Sequence, residues 1–212
     1  MADFTIHIGT RIWSSWSLRP WMALAKTGAS FDDVVMPLRR AETKASIAAF
    51  SPSGFVPVLV DHRGASPVMV WDSLAICEYL AESFPGLWPA DAAARALGRS
   101  VSAEMHSGFR AMRLSMPMDL FADRAGEGLA GADAAADIRR IEAIISNCRS
   151  RFGAVGPYLL GDFSIADAMY APVASRFRTY RPELSSIAAD YVATILADPA
   201  FKAWELRALK EL

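Results

Sequence analysis

Three groups of residues carry side chains suited to holding a small polar ligand. The run Ser14-Ser15-Trp16-Ser17-Leu18-Arg19 sets three hydroxyls within four positions. A serine hydroxyl is too weak an acid or base to ionise at neutral pH, so its roles here are hydrogen-bond donor to an anion or helix cap. Val56-Pro57, within Ser51-Pro52-Ser53-Gly54-Phe55-Val56-Pro57-Val58-Leu59, reads as an extended pair at a strand edge. Asp72-Ser73, ahead of Leu74-Ala75-Ile76, supplies a capping residue for a helix. Each group alone is simply a cap or an edge-strand proline. Their order along one stretch of chain is what carries information.

The elements that must position these groups follow from the apolar pattern. Short strands are expected at Phe4 to Ile8, Val34 to Leu38, Val56 to Asp61 and Pro67 to Val70. Leu18 to Thr27 reads as a helix with Pro20 in its first turn and Gly28 past its end. The first two strands are then parallel, and the serine turn lies at a βα junction, beside unpaired N–H groups and a positive helix end. Lys44 to Phe50 is a short helix, residues 62 to 66 turn a hairpin, and Ile76, Leu80 and Phe84 mark the buried face of another helix.

Beyond Phe84 the chain reads as helix throughout. The expected organisation is an α/β domain over residues 1–84 in the order βαβαββα, a linker at 85–90, and an all-helical domain over 91–212. Val101, Met105, Met112 and Met116 line one long helix ending at Pro117, and Ile138, Ile141, Ile145 and Phe152 line a second. Ser164-Ile165-Ala166-Asp167 is a capping-box pattern opening a third. Two more run from Ala188 to Ala197 and from Pro199 to Leu209, and Gly126 to Ala136 reads as a loop.

Composition narrows the function classes. Lys+Arg 22 against Asp+Glu 23 gives a net charge of -1 over 212 residues, so no nucleic-acid partner is expected. No basic leader or long apolar run suggests a membrane segment, and a cytoplasmic location is expected. Cys77 and Cys148 fall in helical patterns as small core residues, and three isolated histidines offer no metal site.

Together the motifs resemble the cytosolic glutathione transferases, in particular the bacterial serine-type, zeta-related members. Ser-Ser-x-Ser followed by Arg, the Val-Pro stretch, the Asp-Ser pair and the Ser-x-x-Asp box all occur in the family's order. The resemblance implies a thioredoxin-like N-terminal domain with glutathione as co-substrate, a helical substrate domain, no metal, and a homodimer. It places a serine at the position of Ser14 or Ser15, with Ser14 preferred, as donor to the glutathione sulfur. It implies a cis bond before Pro57, with the Val56 amide and carbonyl pairing with the cysteinyl backbone. Asp72 and Ser73 would hold the γ-glutamyl end, Ser17 and Phe55 are further glutathione-binding positions, and Arg39 or Lys44 would supply the contact to the peptide's carboxylate that Phe55 lacks. Phe55 stands where the family usually carries Lys or Gln, and Trp16 stands where zeta members carry cysteine.

Such a donor has a defined task. A thiol with a pKa of ~8.5 is only about 3% ionised at pH 7, and lowering it by roughly two units, worth about 2.7 kcal/mol, makes the thiolate the major form. One charge-assisted hydrogen bond at a helix N-terminus covers that range. For the second substrate, His106, Phe109 and Arg113 share a helix face at i, i+3 and i+7, and Trp13 and Arg176 join them as pocket candidates. The expected reaction is conjugation of glutathione to a small apolar electrophile. A glutathione-dependent isomerase or reductive-cleavage enzyme and a non-catalytic glutathione-binding protein are the alternatives.

Overall fold

The computed structural model describes residues 2–212. Strand β1 (Phe4–Gly9) lies at the centre, because its alternate residues Phe4, Ile6 and Ile8 are all apolar and fully buried. Helix α1 (Ser15–Ala25) carries the chain over to β2 (Phe31–Met36), which pairs parallel to β1 with Phe4 opposite Phe31. After α2 (Thr43–Ala48), β3 (Val58–Asp61) returns antiparallel on the other side of β1, and β4 (Val68–Trp71) completes the order β2-β1-β3-β4. Helix α3 (Ser73–Ser83) follows and packs beside α1. This is the expected βαβαββα arrangement of a thioredoxin-like half.

Several boundaries differ from the sequence reading by a few residues, β3 for instance starting at Val58 and not Val56, and two of them bear on the site. Strand β2 starts at Phe31 rather than Val34, because Asp33 takes a half-buried position in the strand. Its carboxylate is matched there by Arg11 Nη2 at 2.6 Å and Trp21 Nε1 at 2.8 Å. Helix α1 starts at Ser15 rather than Leu18, with the Leu18 N–H donating to the Ser14 carbonyl at 3.1 Å. Pro20 therefore lies inside the helix and not in its first turn.

A single 3-10 turn at Pro85–Leu87 leads into the helical part, with Leu87 and Trp88 buried as anchors. There α4 (Ala92–Ser107), α5 (Arg110–Ser115), α6 (Ala132–Phe152), α7 (Ile165–Tyr180), α8 (Ser186–Ala197) and α9 (Pro199–Ala208) follow. Helix α7 is buried on almost every face and packs against both α1 and α4, so it sits directly behind the serine turn. The capping box at its start is present, with Asp167 accepting the Ser164 N–H at 2.8 Å.

The long helix expected through Met116 is broken in two. The Gly108 N–H reaches the Glu104 carbonyl at 2.8 Å, where a Cβ on residue 108 would meet that same oxygen at 2.8 Å. Phe109 then takes a left-handed conformation at φ 59 and turns its ring into the core. The Ala/Gly segment is split as well: residues 126–131 are loop, but the alanines from Ala132 onward already belong to α6.

Candidate active site

The serine turn is held by its own backbone. The N–H groups of Trp13 and Ser14 both donate to the Thr10 carbonyl, at 3.1 and 2.9 Å. Ser14 is the N-cap of α1 and is only 6% exposed, and its hydroxyl donates to Ser17 Oγ at 2.8 Å. Ser17 in turn accepts the Gly9 N–H at 3.1 Å. This chain ties the end of β1 to the first turn of α1 and occupies the Ser14 proton. Ser15 differs: it is half-buried, and its Oγ accepts a long hydrogen bond from Arg176 Nη2 at 3.4 Å while its own proton has no acceptor among the described residues.

Beside the turn lies a cavity of about 340 Å³. One wall is Ser53, Phe55, Val56 and Pro57, the other is Trp71, Asp72 and Ser73, and Trp16 and His106 close the end. The Val56-Pro57 bond is cis, and neither the N–H nor the carbonyl of Val56 has a partner among the described residues. Asp72 sits at φ 76 and caps α3 through Oδ1, which accepts the N–H groups of Leu74 and Ala75 at 2.9 and 3.1 Å. Ser73 is 1% exposed and its hydroxyl is buried without a partner. An extended peptide with a carboxylate finds complementary groups here: an open backbone pair at Val56 and a free hydroxyl at a helix N-terminus.

The remaining candidates spread further apart. Trp13 packs under the Arg39 guanidinium, 4.1 Å from ring centre to cation, and Lys44 is exposed on α2; none of the three lines the cavity. The His106, Phe109 and Arg113 face does not exist, because the break at Gly108 separates these residues. Phe109 is core, and Arg113 turns back to cap α4, donating to the carbonyls of Met105 and His106. Arg113 also lies 4.8 Å from the centre of the Trp16 ring, on which His106 packs edge-on at 5.4 Å.

The family model for the glutathione S-transferase N-terminal domain matches residues 13–83, and that for the C-terminal domain matches residues 118–207. The chain belongs to the glutathione S-transferase family of enzymes. Among solved structures, a glutathione transferase homolog from Burkholderia gl BGR1 with bound glutathione is 21% identical with a TM-score of 0.72, covering 98% of each chain. A theta class glutathione S-transferase from Xanthomonas axonopodis pv. citri, with glutathione bound, is 24% identical with a TM-score of 0.67, covering 96% of this chain and 97% of that one. These likenesses establish the transferase fold. A maleylacetoacetate isomerase from Emericella nidulans is 36% identical over 88 residues, 40% of this chain, and the match spans only 38% of that protein.

Ser53, Trp16 and Trp71 were not among the binding residues expected of this transferase, although all three line the cavity. Trp71 and Met69 lie on one face of β4 and both are exposed, but the strand is apolar at every position, so its sequence does not tell the exposed face from the other. Arg19 was passed over too. It is a charged residue between Leu18 and Trp21 on a helix whose neighbours are all buried, and it is itself 1% exposed.

Proposed function

We propose that this protein is a serine-type glutathione transferase that binds glutathione in the 340 Å³ cavity, holds its sulfur as thiolate, and adds it to a small electrophile. The observation that carries the reading is the pairing of open groups across that cavity. The Val56 backbone pair faces the cysteinyl segment of the peptide, and the buried Ser73 hydroxyl receives the γ-glutamyl carboxylate at the N-terminus of α3. Asp72 Oδ2, which lies 3.3 Å from His106 Nε2, supplies negative charge at the same end and would share it with the γ-glutamyl ammonium.

Of the two serines, the geometry favours Ser15 over Ser14 as sulfur donor. The Ser14 proton is committed to Ser17, whereas the Ser15 proton is free and its oxygen is polarised by Arg176. The proton leaves the thiol to water, and the hydroxyl together with the α1 N-terminus stabilises the anion that remains. A division into residues 1–84, a linker at 85–90 and residues 91–212, a cytoplasmic location and a two-fold dimer belong to the same proposal. A second reading, a glutathione-dependent isomerase, is favoured by the partial match to the maleylacetoacetate isomerase.

The test is ultraviolet titration of the bound glutathione thiolate in wild type, Ser14→Ala and Ser15→Ala. Ser15→Ala is expected to raise the thiolate pKa by about one to two units, the size of one charge-assisted hydrogen bond. A pKa unchanged in both variants removes the mechanism. Retention on immobilised glutathione without thiol loss toward any electrophile would instead make the chain a binding protein.

A further inference from the structure

Glutathione carries a carboxylate at each end, and the two ends of the cavity are built differently. Among the described residues that line it, the ionisable side chains are Asp72 and His106, which stand 3.3 Å apart at the end next to α3. No lysine or arginine is among them. One carboxylate of the peptide therefore meets a helix N-terminus, and the other meets whatever lines the far end.

The register of the sheet decides which carboxylate that is. Val58 pairs with Trp71 in the antiparallel ladder of β3 and β4, so one step earlier Pro57 lies beside Asp72, the residue that opens α3. A peptide residue that exchanges both hydrogen bonds with Val56 runs antiparallel to it. Its N-terminal neighbour then faces Pro57 and Ser73, and its C-terminal neighbour faces Phe55. Seating the γ-glutamyl carboxylate at Ser73 requires the same direction. The glycine carboxylate falls at the Phe55 end.

That end is aromatic and braced. Phe55 is 74% exposed, yet its backbone is tied on both sides: its N–H donates to Ser53 Oγ at 3.3 Å, and its carbonyl accepts the Ser51 hydroxyl at 2.6 Å. Folding fixes the position of the ring and leaves its face uncovered. The two cations that the sequence offers for this carboxylate are placed elsewhere, Arg39 against the Trp13 ring at 4.1 Å and Lys44 exposed on α2, and neither lines the cavity. A carboxylate laid against Phe55 gives up water and gains no donor, a cost that a neutral group there escapes.

We propose that the thiol co-substrate of this site is a γ-glutamyl-cysteinyl peptide whose C-terminal end is uncharged, an amide or comparable neutral group, and that Phe55 is the residue that selects it. The inference rests on the glutathione-transferase reading and narrows its co-substrate. Ser73 keeps the charged γ-glutamyl end, Val56 pairs with the cysteinyl backbone, and the Phe55 ring covers the neutral end.

The probes are glutathione and glutathione amide, which differ only at the glycine terminus. Two quantities are measured for each: the dissociation constant by calorimetry, and kcat/KM with 1-chloro-2,4-dinitrobenzene as a fixed electrophile. In both reactions the thiolate forms a C–S bond at the chlorine-bearing carbon, and chloride leaves with the electron pair of the broken C–Cl bond. Wild type is expected to favour the amide about tenfold in both quantities, the scale of one carboxylate partly stripped of water. Phe55→Lys should invert the preference to about tenfold for glutathione, with the melting temperature unmoved because the ring is exposed. Equal or tighter binding of glutathione by wild type overturns the proposal and leaves the transferase reading intact. A tenfold loss of glutathione affinity in Arg39→Met or Lys44→Met, with the amide unaffected, overturns it too, since a cation would then reach the carboxylate. So does an amide preference that survives Phe55→Lys in folded protein. Binding of neither probe removes the transferase reading itself, and the inference with it.

Discussion

His106 Nε2 stands 3.3 Å from Asp72 Oδ2, joining the last turn of α4 to the residue that caps α3. Both residues line the 340 Å³ cavity, and their contact links the helical part to the start of α3. It also leaves Asp72 serving two partners, the α3 amides through one oxygen and the imidazole through the other.

That contact has a pH signature. Burial lowers the pKa of His106 from its ordinary 6.5, Asp72 pulls the other way, and the cations Arg19 and Arg113 add to the lowering. The folded chain therefore binds this proton less readily than the unfolded chain. The His106 contribution is fully present above pH 6.5 and is lost as pH falls through the lowered value. Urea midpoints should fall on acidification in that window, and His106→Gln should flatten part of the slope. His7, also lowered by burial, adds to the same slope. A slope identical in wild type and variant would count against the assignment.

Ser73→Ala separates binding from stability. The hydroxyl it removes is buried and unpaired, so the variant should keep its unfolding free energy within about 0.5 kcal/mol of wild type. If that hydroxyl receives the γ-glutamyl carboxylate, KM for glutathione should rise roughly tenfold with little change in kcat. Steady-state kinetics with glutathione varied decides it, and an unchanged KM removes Ser73 from the site.

The motif residues were legible because each sits at an element boundary that local rules control. Asp72 caps, Pro57 interrupts and Ser164 with Asp167 boxes a helix start wherever they occur, so chain order alone brought Val56 and Ser73 to one cavity. The substrate side was not legible. Spacing placed His106, Phe109 and Arg113 on one face only if the helix ran on, and the extended backbone at Gly108 followed by a left-handed Phe109 ended it. Arg19 was hidden for the opposite reason: a charge in an apolar helix reads as a solvated position until burial on all sides is seen. Strand β2 was misplaced because Asp33 is buried by Arg11, a partner from another element that periodicity cannot reveal.

Arg11 is gripped at every polar group but Nε. Its N–H donates to Glu211 Oε2 at 2.7 Å, its guanidinium pairs with Glu211 and Asp33, and its carbonyl accepts Trp204 Nε1 at 3.2 Å. The C-terminal 3-10 turn thus fastens the segment that leads into Ser14. Glu211→Ala leaves the Arg11 N–H unpaired while Asp33 still meets its charge, so a loss of about 2–3 kcal/mol is expected in urea unfolding. Hydrogen exchange at the Trp13 and Ser14 amides should quicken in the same variant. Unchanged exchange there would show that the turn is held without the tail.

Asp167 is the most heavily used buried acceptor behind the site. Its carboxylate takes the Leu159 N–H at 2.9 Å, the Ser164 N–H at 2.8 Å, the Ser164 hydroxyl at 3.1 Å and the Tyr191 hydroxyl at 3.2 Å. Asp167→Ala strands these donors in the core and should cost about 3–5 kcal/mol. Burial outweighs the hydrogen bonds and pushes the carboxyl up to about 6, so the folded state holds the proton more tightly than the unfolded one. With a raised pKa, the wild-type contribution declines as pH rises from the ordinary 3.8 to about 6 and is level above that. Asp167→Asn carries no such titration, so its deficit relative to wild type should be largest near pH 4, narrow toward pH 6 and then hold constant. A deficit that widens over that interval would mean the hydrogen bonds, and not burial, set the charge of this carboxyl.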